Sequence, residues 1–429
     1  MKKIWISIVC VLLIAACVCG TVGCTITTRS STLDQMDMLQ KALQIIETNY
    51  IGDVDVDDLD YYAASAVLNN LDQFTYLSTT LYSQTSDSSI GLNILTTKYN
   101  EHIVTSVVEG FPAAETVDGF TLQRGDELYG ISNSTLLDDE GNPIFYRLRG
   151  LSNSYLPQYT AGDVGTQLTL RIYRNGEDMG DHTYTKKQGY ASRATLIPDV
   201  FGVDSGVGYI SLKNFTYTQL PDGTIKSAAD DFVECMKLFD FYRQDKLILD
   251  LRGNGGGSTD ILSKIASYFV PLEADNTTEI LQLKYAKSER VIHINVKEGN
   301  CRNNLPVVIL CDEHTASAAE ALIGACRAYH TANTTVIGTP TYGKGVFQRS
   351  DISLKDDTKD SAYTGIPDEY YVVMVSGYYY IIDPHVEGGM YNIHQNPILP
   401  DIAVTPNEVI GALVDDAEMV AARKVLLGE

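Results

Sequence analysis

Two side chains and a glycine-rich segment have the types and order needed for hydrolytic chemistry. Ser317 lies in the segment TASAAE (315–320), Lys344 lies in PTYGKG (340–345), and LDLRGNGGG (249–257) precedes both. A serine hydroxyl is a weak nucleophile at neutral pH and needs a base within hydrogen-bond reach. A lysine amine can be that base when desolvation lowers its pKa far below about 10.4, the value of a free side chain. The pattern predicts a Ser-Lys hydrolase in which the glycine segment forms an oxyanion loop.

Each segment alone has an ordinary structural explanation. A serine before an Ala-rich helix is usually a cap or packing residue, and a glycine run is usually a flexible loop. The positions of the segments at junctions between strands and helices favour catalysis instead. The sequence VVIL (307–310) predicts a buried strand and 318–329 a helix, which places Ser317 at the helix N-terminus. Free backbone N–H groups and the positive end of the helix dipole would stabilise an oxyanion there.

These segments resemble the motifs of the carboxyl-terminal processing proteases, also called tail-specific proteases, over nearly all of the chain after its leader. The resemblance implies that Ser317 is the nucleophile, that Lys344 is the general base and that Gln348 orients the lysine amine. It also implies that the backbone N–H groups of Gly257 and Ala318 form the oxyanion hole. The implied partners are proteins or peptides with free carboxyl termini, and no cofactor is implied.

The chain departs from the family pattern in three places. Ala319 stands where a second serine is common, and Gly253 stands where an asparagine is usual. The interval from Ser317 to Lys344 is 27 positions, slightly longer than expected for the family. The additional residues fall near 330–334, where we predict a surface loop.

Other polar residues near the motifs are predicted to have supporting roles. Glu320 is expected to be a supporting carboxylate in the serine helix, and Arg252 is expected to brace the glycine loop by an ion pair. His314 is a weaker candidate base for Ser317, because a near neighbour along the backbone rarely reaches across. The seven histidines show no HExxH spacing, and no Walker, dinucleotide or metal-carboxylate pattern appears. The sequence therefore predicts neither a zinc peptidase nor a cofactor-dependent enzyme.

The N-terminal residues have the composition of an export leader. A basic start, MKK, precedes residues 4–16, which are apolar apart from Ser7, and this stretch is short for a membrane span but typical of a signal peptide. Cys17 follows Ile-Ala-Ala as in a bacterial lipobox, and Cys24 is a poorer candidate for lipid attachment. We expect export to the bacterial cell envelope and membrane anchoring by an N-terminal lipid. A signal that is simply cleaved and a membrane helix extending to Val22 are the alternatives.

The cysteines beyond the leader lack the spacing of metal ligands. Cys235 and Cys326 fall in helical patterns and Cys311 ends an apolar strand, so most are expected to be buried as small apolar side chains. A disulfide between Cys301 and Cys311 or Cys326 is compatible with an exported protein. The sequence leaves that pairing open.

Length, composition and charge limit the class of protein. A chain of 429 residues with 44% hydrophobic residues is typical of a globular protein with two or three domains. A formal net charge of −23 argues against binding to nucleic acid and against direct adsorption to anionic lipid.

The order of predicted elements divides the chain. Strands alternating with helices predict an α/β catalytic core with a largely parallel sheet, and the family resemblance adds an N-terminal helical cap and an inserted, β-rich PDZ-like domain. The predicted segments are a lipoprotein leader (1–24), the helical cap (32–80), the PDZ-like domain (89–188), the protease core (198–408) and a terminal helix (409–429).

The PDZ-like segment is predicted to bind a peptide carboxyl terminus by strand addition. Its strongest sign is LQRGDEL (122–128), and the stretch 138–159 is interpreted as a loop insertion. A PDZ-shaped spacer that binds nothing is the alternative. The predicted carboxylate-binding loop, which runs into an edge strand, comprises Gly91, Leu92, Asn93 and Ile94.

Several core elements are predicted in more detail. Residues 225–242 are predicted to form a helix, and the tyrosine-rich stretches 370–374 and 378–382 are predicted to form a hairpin. Two further functions are considered on the same scaffold: a non-catalytic peptide-binding protein, and a protease that is latent until a partner activates it.

Overall fold

The structure is a computed structural model that describes residues 41, 56–78, 88–96, 100–108, 110–151, 156–188, 192–220, 223–353, 371–407 and 413–428. The leader, with Cys17 and Cys24, lies outside the described residues, as does the first predicted helix of the cap. Within the described residues, no helix is both long and apolar enough to cross a membrane.

The N-terminal unit contains helix α1 (Val56–Asn69), and strand β1 (Tyr76–Ser78) begins at its end. The sequence predicts a helix that begins at Tyr61, and α1 begins five residues earlier. Residues 56–60, which the sequence assigns to an acidic turn, are therefore the first residues of α1.

Residues 88–188 form a β-rich region. The main sheet has the order β3-β4-β5-β7-β8 with β6 paired to β5, every pairing in it is antiparallel, and β3 ends that order. The short strands β2 and β9 pair separately. The elements are β2 (Ser88–Ser89), β3 (Leu92–Thr96), β4 (His102–Val107), β5 (Glu127–Leu137), β6 (Pro143–Arg147), α2 (Leu156–Thr160), β7 (Gln167–Arg174), β8 (Glu177–Thr185) and β9 (Lys187–Gln188).

The interpretation of 138–159 as a loop insertion is wrong. This stretch contains β6, which pairs with β5, and most of α2. Leu148 and Leu156 are buried in the apolar core of the β-rich region, so the stretch belongs to the body of the fold. The stretch was interpreted as a loop because most of its residues are polar or aromatic, and the burial of Leu148 and Leu156 is not evident from the sequence.

The core is built on a sheet with the order β10-β11-β14-β17-β18-β22. All neighbours are parallel except β10 and β11. Strands β11, β14 and β17 are almost wholly buried, as expected for a sheet covered on both faces. The elements are β10 (Ala194–Ile197), β11 (Val207–Leu212), β12 (Tyr217–Gln219), β13 (Ile225–Ser227), α3 (Ala228–Phe241), β14 (Lys246–Asp250), α4 (Thr259–Ala266), β17 (Val307–Cys311), α5 (Ala318–Tyr329), β18 (Thr334–Gly338), β22 (Ile402–Ala403) and α6 (Ala417–Leu427).

A second, antiparallel sheet packs over helix α5 of the core. In it β16, β15 and β20 are neighbours, and β20 also pairs with β19 and β21. Buried residues of β15 and β20 share one apolar cluster with those of α5. The strands are β15 (Thr278–Tyr285), β16 (Val291–Val296), β19 (Val346–Ser353), β20 (Tyr371–Ile382) and β21 (Met390–Tyr391).

Two predicted elements are corrected here. The tyrosine-rich stretches do not form a hairpin, because β20 runs through both of them as one strand. Gly377 lies within β20 between the two stretches, and a Cβ there would come within 2.1 Å of the Lys284 carbonyl oxygen, so this close approach to β15 requires glycine. The predicted helix 225–242 begins only at Ala228, because Ser227 caps it and Asp230 completes the capping box.

Helix boundaries differ in how closely the sequence predicts them. Helix α5 spans 318–329 as predicted. Helix α6 begins at Ala417, later than the predicted start, because Asp416 is its N-cap and a short 3₁₀ turn precedes it. Cys235, Cys301, Cys311 and Cys326 are free thiols in the structure, and none of them forms a disulfide with another described cysteine.

Candidate active site and peptide groove

The predicted catalytic segments meet at one edge of the parallel sheet. The glycine loop follows β14, the segment of Ser317 follows β17, and the segment of Lys344 follows β18. These three strands are parallel neighbours, so their carboxyl ends lie side by side. Ligand sites of α/β sheets lie at this end.

A cavity of about 460 Å³ opens at this edge. Ser317, Ala318, Gly257 and Gln348 all line it, whereas Lys344 is half-buried and is not among the lining residues. The remaining walls come from the segment that follows β11, from the start of α4, from α5 and from strands β15, β19 and β20. They comprise Phe215, Thr216, Tyr217, Ser258, Thr259, Leu281, Leu283, Ala321, Phe347 and Tyr379.

Ser317 has a strained backbone. Its φ of 57° and ψ of −118° lie outside the regions that a non-glycine residue usually adopts, and it is the N-cap of α5. The Tyr379 hydroxyl donates to the Ser317 carbonyl oxygen at 3.1 Å. Such strain persists only where the surroundings fix it, and it is concentrated at functional sites.

Two backbone N–H groups beside Ser317 are placed to bind an anion. The Gly257 and Ala318 N–H groups both border the cavity, and neither donates a hydrogen bond to any residue that the structure describes. Gly257 is positioned by Phe215, whose carbonyl oxygen accepts from the Ser258 N–H at 2.7 Å. Gly257 has a φ of 142°, and a Cβ added there would lie 2.2 Å from that oxygen, so the position requires glycine.

Asn254 fixes the glycine loop against the nucleophile segment, and the sequence did not single it out. Its side chain is fully buried, accepts from the Gly256 N–H at 2.9 Å and donates to the Leu212 carbonyl oxygen at 2.8 Å. Its own carbonyl oxygen accepts from the Ala316 N–H at 2.9 Å. The sequence signal that could have identified Asn254 is that it carries the one amide side chain in a run of glycines.

Glu320 links the nucleophile to the lysine segment. One carboxylate oxygen accepts from the N–H groups of Ser317 at 2.8 Å and Lys344 at 3.0 Å. The other accepts from the Thr341 hydroxyl at 2.6 Å and the Gly343 N–H at 2.8 Å. Burial raises the pKa of Glu320, and these four hydrogen bonds oppose that rise. The prediction of a supporting carboxylate is confirmed.

Arg252 and Asp250 anchor the start of the glycine loop. Arg252 Nη2 lies 2.7 Å from Asp250, and Asp250 also accepts from the Tyr209 hydroxyl at 2.6 Å. Burial would raise the pKa of the Asp250 carboxyl, but the Arg252 charge and these hydrogen bonds hold it below its usual value. The prediction that Arg252 braces the loop by an ion pair is confirmed.

The same ion-pair network reaches the β-rich region. Arg252 Nη1 lies 3.2 Å from Asp416 and 3.4 Å from Glu418, at the start of α6. Arg124 of the β-rich region lies 2.6 Å from the same Asp416 oxygen. The residues of this ion-pair network are far apart in the sequence, so no local sequence pattern predicts the contact between Arg124 and Asp416.

His314 does not face the catalytic cavity. It is 55% exposed at its side chain and lies 4.0 Å from Glu313, and it is not among the lining residues. Cys235, Cys311 and Cys326 are buried as predicted, and burial raises the pKa of Cys235 and Cys311 to about 12. These thiols are inert at neutral pH.

A second cavity, of about 410 Å³, forms a groove between β3 and α2 in the β-rich region. Leu92 and Ile94 line it, and Gly91 precedes them with a φ of 83°, where a Cβ would come within 2.2 Å of Phe111. Among the described residues, β3 has a strand neighbour on one side only. The groove is otherwise lined by Ser88, Ser89, Ile90, Leu128, Ile131, Leu148, Leu156, Thr160, Ala161, Leu168, Leu170 and Lys186.

Comparison with known proteins gives one family. Residues 206–404 match the family model of peptidase family S41. A CtpA-like serine protease of Staphylococcus saprophyticus is 26% identical over 340 residues, which cover 77% of this chain and 62% of that protein. The carboxy-terminal processing protease CtpA of Bacillus subtilis is 24% identical over 355 residues, covering 79% of this chain and 68% of that protein. The chain thus spans less than two thirds of the staphylococcal relative.

A solved structure shares the fold. A crystal structure from Bacteroides fragilis, described as an S41 protease, superposes with a TM-score of 0.54 at 19% sequence identity. The match covers 89% of this chain and 98% of that chain. The sheets and helices described above therefore form a known architecture.

Proposed function

We propose that the chain is a serine endopeptidase that cleaves proteins near their carboxyl termini, because residues 206–404 match the family model of peptidase family S41. The observation that carries the proposal is the convergence of Ser317 with the unengaged N–H groups of Gly257 and Ala318 at one cavity. The names of the relatives, carboxy-terminal processing proteases, agree with it.

The residues present support an acyl-transfer mechanism. Neutral Lys344 takes the proton of the Ser317 hydroxyl as its oxygen attacks the peptide carbonyl carbon. The tetrahedral oxyanion is held by the Gly257 and Ala318 N–H groups. Lys344 then donates the proton to the leaving amine, and water attacks the acyl-enzyme by the same route. Gln348, on the cavity wall, orients the lysine amine.

Glu320 has a positioning role in this mechanism. Its carboxylate binds the N–H groups of both Ser317 and Lys344, so it sets the distance between the two main chains. Without such a link, Ser317 and Lys344 would be held only by their separate loops, and the distance between them would vary more. Preorganisation of this kind contributes to rate through orientation.

Hydrolysis of an unfolded protein tests the proposal. A reduced and alkylated protein substrate is incubated with the wild type and with Ser317→Ala, and the fragments are mapped by mass spectrometry. Ser288→Ala, an exposed serine distant in sequence from the motifs, is the matched control. We expect cleavage by the wild type and by the control, and none by Ser317→Ala. Equal cleavage by Ser317→Ala would contradict the assignment of the nucleophile.

The β-rich region is proposed to act as a PDZ domain that captures substrate tails. Among the described residues, one edge of β3 has no strand neighbour and is available for strand addition, and most of the groove beside it is apolar. Substrates with an apolar free carboxyl terminus should therefore be cleaved faster than the same chains with an amidated terminus, because binding raises the local concentration of the scissile segment. Equal cleavage rates for the free and the amidated substrates would show that the β-rich region is a spacer that does not bind substrate tails.

The proposed location is the bacterial cell envelope, with the lipid attached at Cys17. This proposal rests on the leader composition alone. Cys17→Ser should release the protein from membranes or leave it unprocessed, whereas Cys24→Ser should do little. Mass spectrometry that finds a mature N-terminus at Cys24, or one without lipid, would overturn the choice.

A further inference from the structure

Lys186 is a buried lysine at the rim of the groove. It lies between β8 and β9 and is only 6% exposed. Its ammonium donates to the carbonyl oxygen of Thr160 at 2.9 Å and to that of Gly162 at 2.7 Å. An ammonium has three N–H donors, and Lys186 makes no third hydrogen bond within the described part of the chain. The hydrogen bonds to the end of α2 therefore use two of the three N–H donors of Lys186.

The ammonium lies close to the predicted carboxylate-binding loop. The Gly162 oxygen that accepts from Lys186 also accepts from the Ser88 hydroxyl at 2.7 Å, and Ser88 begins the chain segment that leads into the loop. Within the loop, the Gly91 N–H already donates to the Ser89 hydroxyl at 2.9 Å. One backbone donor of the loop is thus engaged before any ligand arrives, and a further donor is needed nearby.

Lys186 is also the one charged residue among the described residues that line the groove. Burial lowers its pKa, and the charge of Asp163 opposes this. A carboxylate that enters an apolar groove loses its hydration and needs a charged or hydrogen-bonding partner there. The apolar walls, including Ile90, Leu92 and Leu168, suit an apolar side chain beside that carboxylate.

We propose that Lys186 determines specificity in tail recognition by pairing its ammonium with the terminal carboxylate of a polypeptide whose last residue is apolar. The last side chain occupies the cavity between β3 and α2, and the preceding residues add to the edge of β3. This inference rests on the proposed function of the β-rich region, and it assigns to a side chain the charge recognition that backbone N–H groups alone would otherwise provide.

The test measures binding to the full chain carrying Ser317→Ala, so that the probe is not cleaved. The probe is a fluorescent decapeptide that ends in three apolar residues, as the free acid or as the amide. Lys186→Met keeps the length of the side chain and removes the charge, and Lys186→Arg restores the charge. Lys187→Met, at the next position and contacting the Phe111 ring, is the matched control. Lys186→Gln retains a donor for the α2 carbonyls and is used if the methionine variant does not fold.

We expect the protein without changes at Lys186 to bind the acid at least about tenfold more tightly than the amide, as a charge-assisted hydrogen bond would give. Lys186→Met should bind the acid only as well as the amide, with amide binding retained, and Lys186→Arg should recover much of the preference. An equal loss of acid and amide binding would show a purely structural role and overturn the inference.

Two other outcomes separate this inference from the proposed function. If the parent protein prefers the acid and Lys186→Met keeps that preference, tail recognition stands and the role of Lys186 is contradicted. If the parent binds acid and amide equally, tail recognition and the role of Lys186 both fail. A preference that depends on Lys186, together with a wild-type protein that hydrolyses no unfolded substrate, would support the inference and contradict the proposed protease activity.

Discussion

The catalytic cavity and the groove hold their buried polar groups in different ways. At the cavity, Glu320 and Asn254 bind backbone groups of separate loops, and every oxygen of the Glu320 carboxylate has two donors. In the groove, most of the walls are apolar, and the ammonium of Lys186 donates to two carbonyl oxygens among the described residues.

This difference indicates that the cavity fixes the geometry of the reacting groups, whereas the groove selects the substrate. A fully satisfied network of hydrogen bonds fixes one geometry, which a reaction with defined atomic distances requires. An apolar groove with one free donor tolerates many ligands and discriminates by charge at one point. Changes at the cavity should therefore affect rate and stability together, whereas changes in the groove should affect the choice of substrate.

The strongest disruption of the cavity is expected at Glu320. Glu320→Ala leaves four donors without an acceptor, so activity should fall by at least about 100-fold and the free energy of unfolding by about 2–5 kcal/mol. Initial rates on an unfolded protein and denaturant titration measure the two effects. Glu289→Ala, an exposed carboxylate, is the control and should change neither. Wild-type kcat in Glu320→Ala would show that the link between the two loops is not needed.

The oxyanion loop offers a sharper, paired comparison. Gly257→Ala should lower kcat by about 100-fold, the usual cost of losing an oxyanion donor, because the added methyl group meets Phe215 and moves the N–H. Gly255→Ala is the matched control, since Gly255 has open space around its Cβ position and no positive φ. Similar kinetics for the two variants would contradict the role of the Gly257 N–H.

The connection between the two regions should have a smaller effect. Arg124→Ala removes the ion pair with Asp416, while Arg252 still contacts that carboxylate. The free energy of unfolding should fall by about 1–2 kcal/mol, because the pair is only partly exposed. Arg171→Ala removes an exposed ion pair within the β-rich region and should have little effect. Equal stabilities of the two variants would place the Arg124 pair among ordinary surface contacts.

The catalytic segments were accessible to sequence reasoning because each lies at a local junction. The helix that begins at Ala318 and the buried strand before Ser317 follow from short apolar patterns, and the bounds of that helix were predicted correctly. Glu320 and the pair of Arg252 with Asp250 were found because these residues and their partners lie within the motifs.

Other features depended on contacts between distant residues. The continuous course of β20 through Gly377 depends on its pairing with β15, whose residues are far away in the sequence. The pairing of Arg124 with Asp416 spans 292 positions and leaves no periodic signal. Sequence reasoning did not single out Lys186, since its contacts depend on how α2 packs.

The most direct test of the central claim compares Ser317→Ala, Lys344→Ala and the double variant on one unfolded protein substrate. If the two side chains act as one unit, all three variants should lose nearly the same activity, because removing either one disables the other. Lys287→Ala, an exposed lysine, should retain the wild-type rate. A Lys344→Ala protein that keeps more than about a tenth of the wild-type rate would contradict the Ser-Lys mechanism.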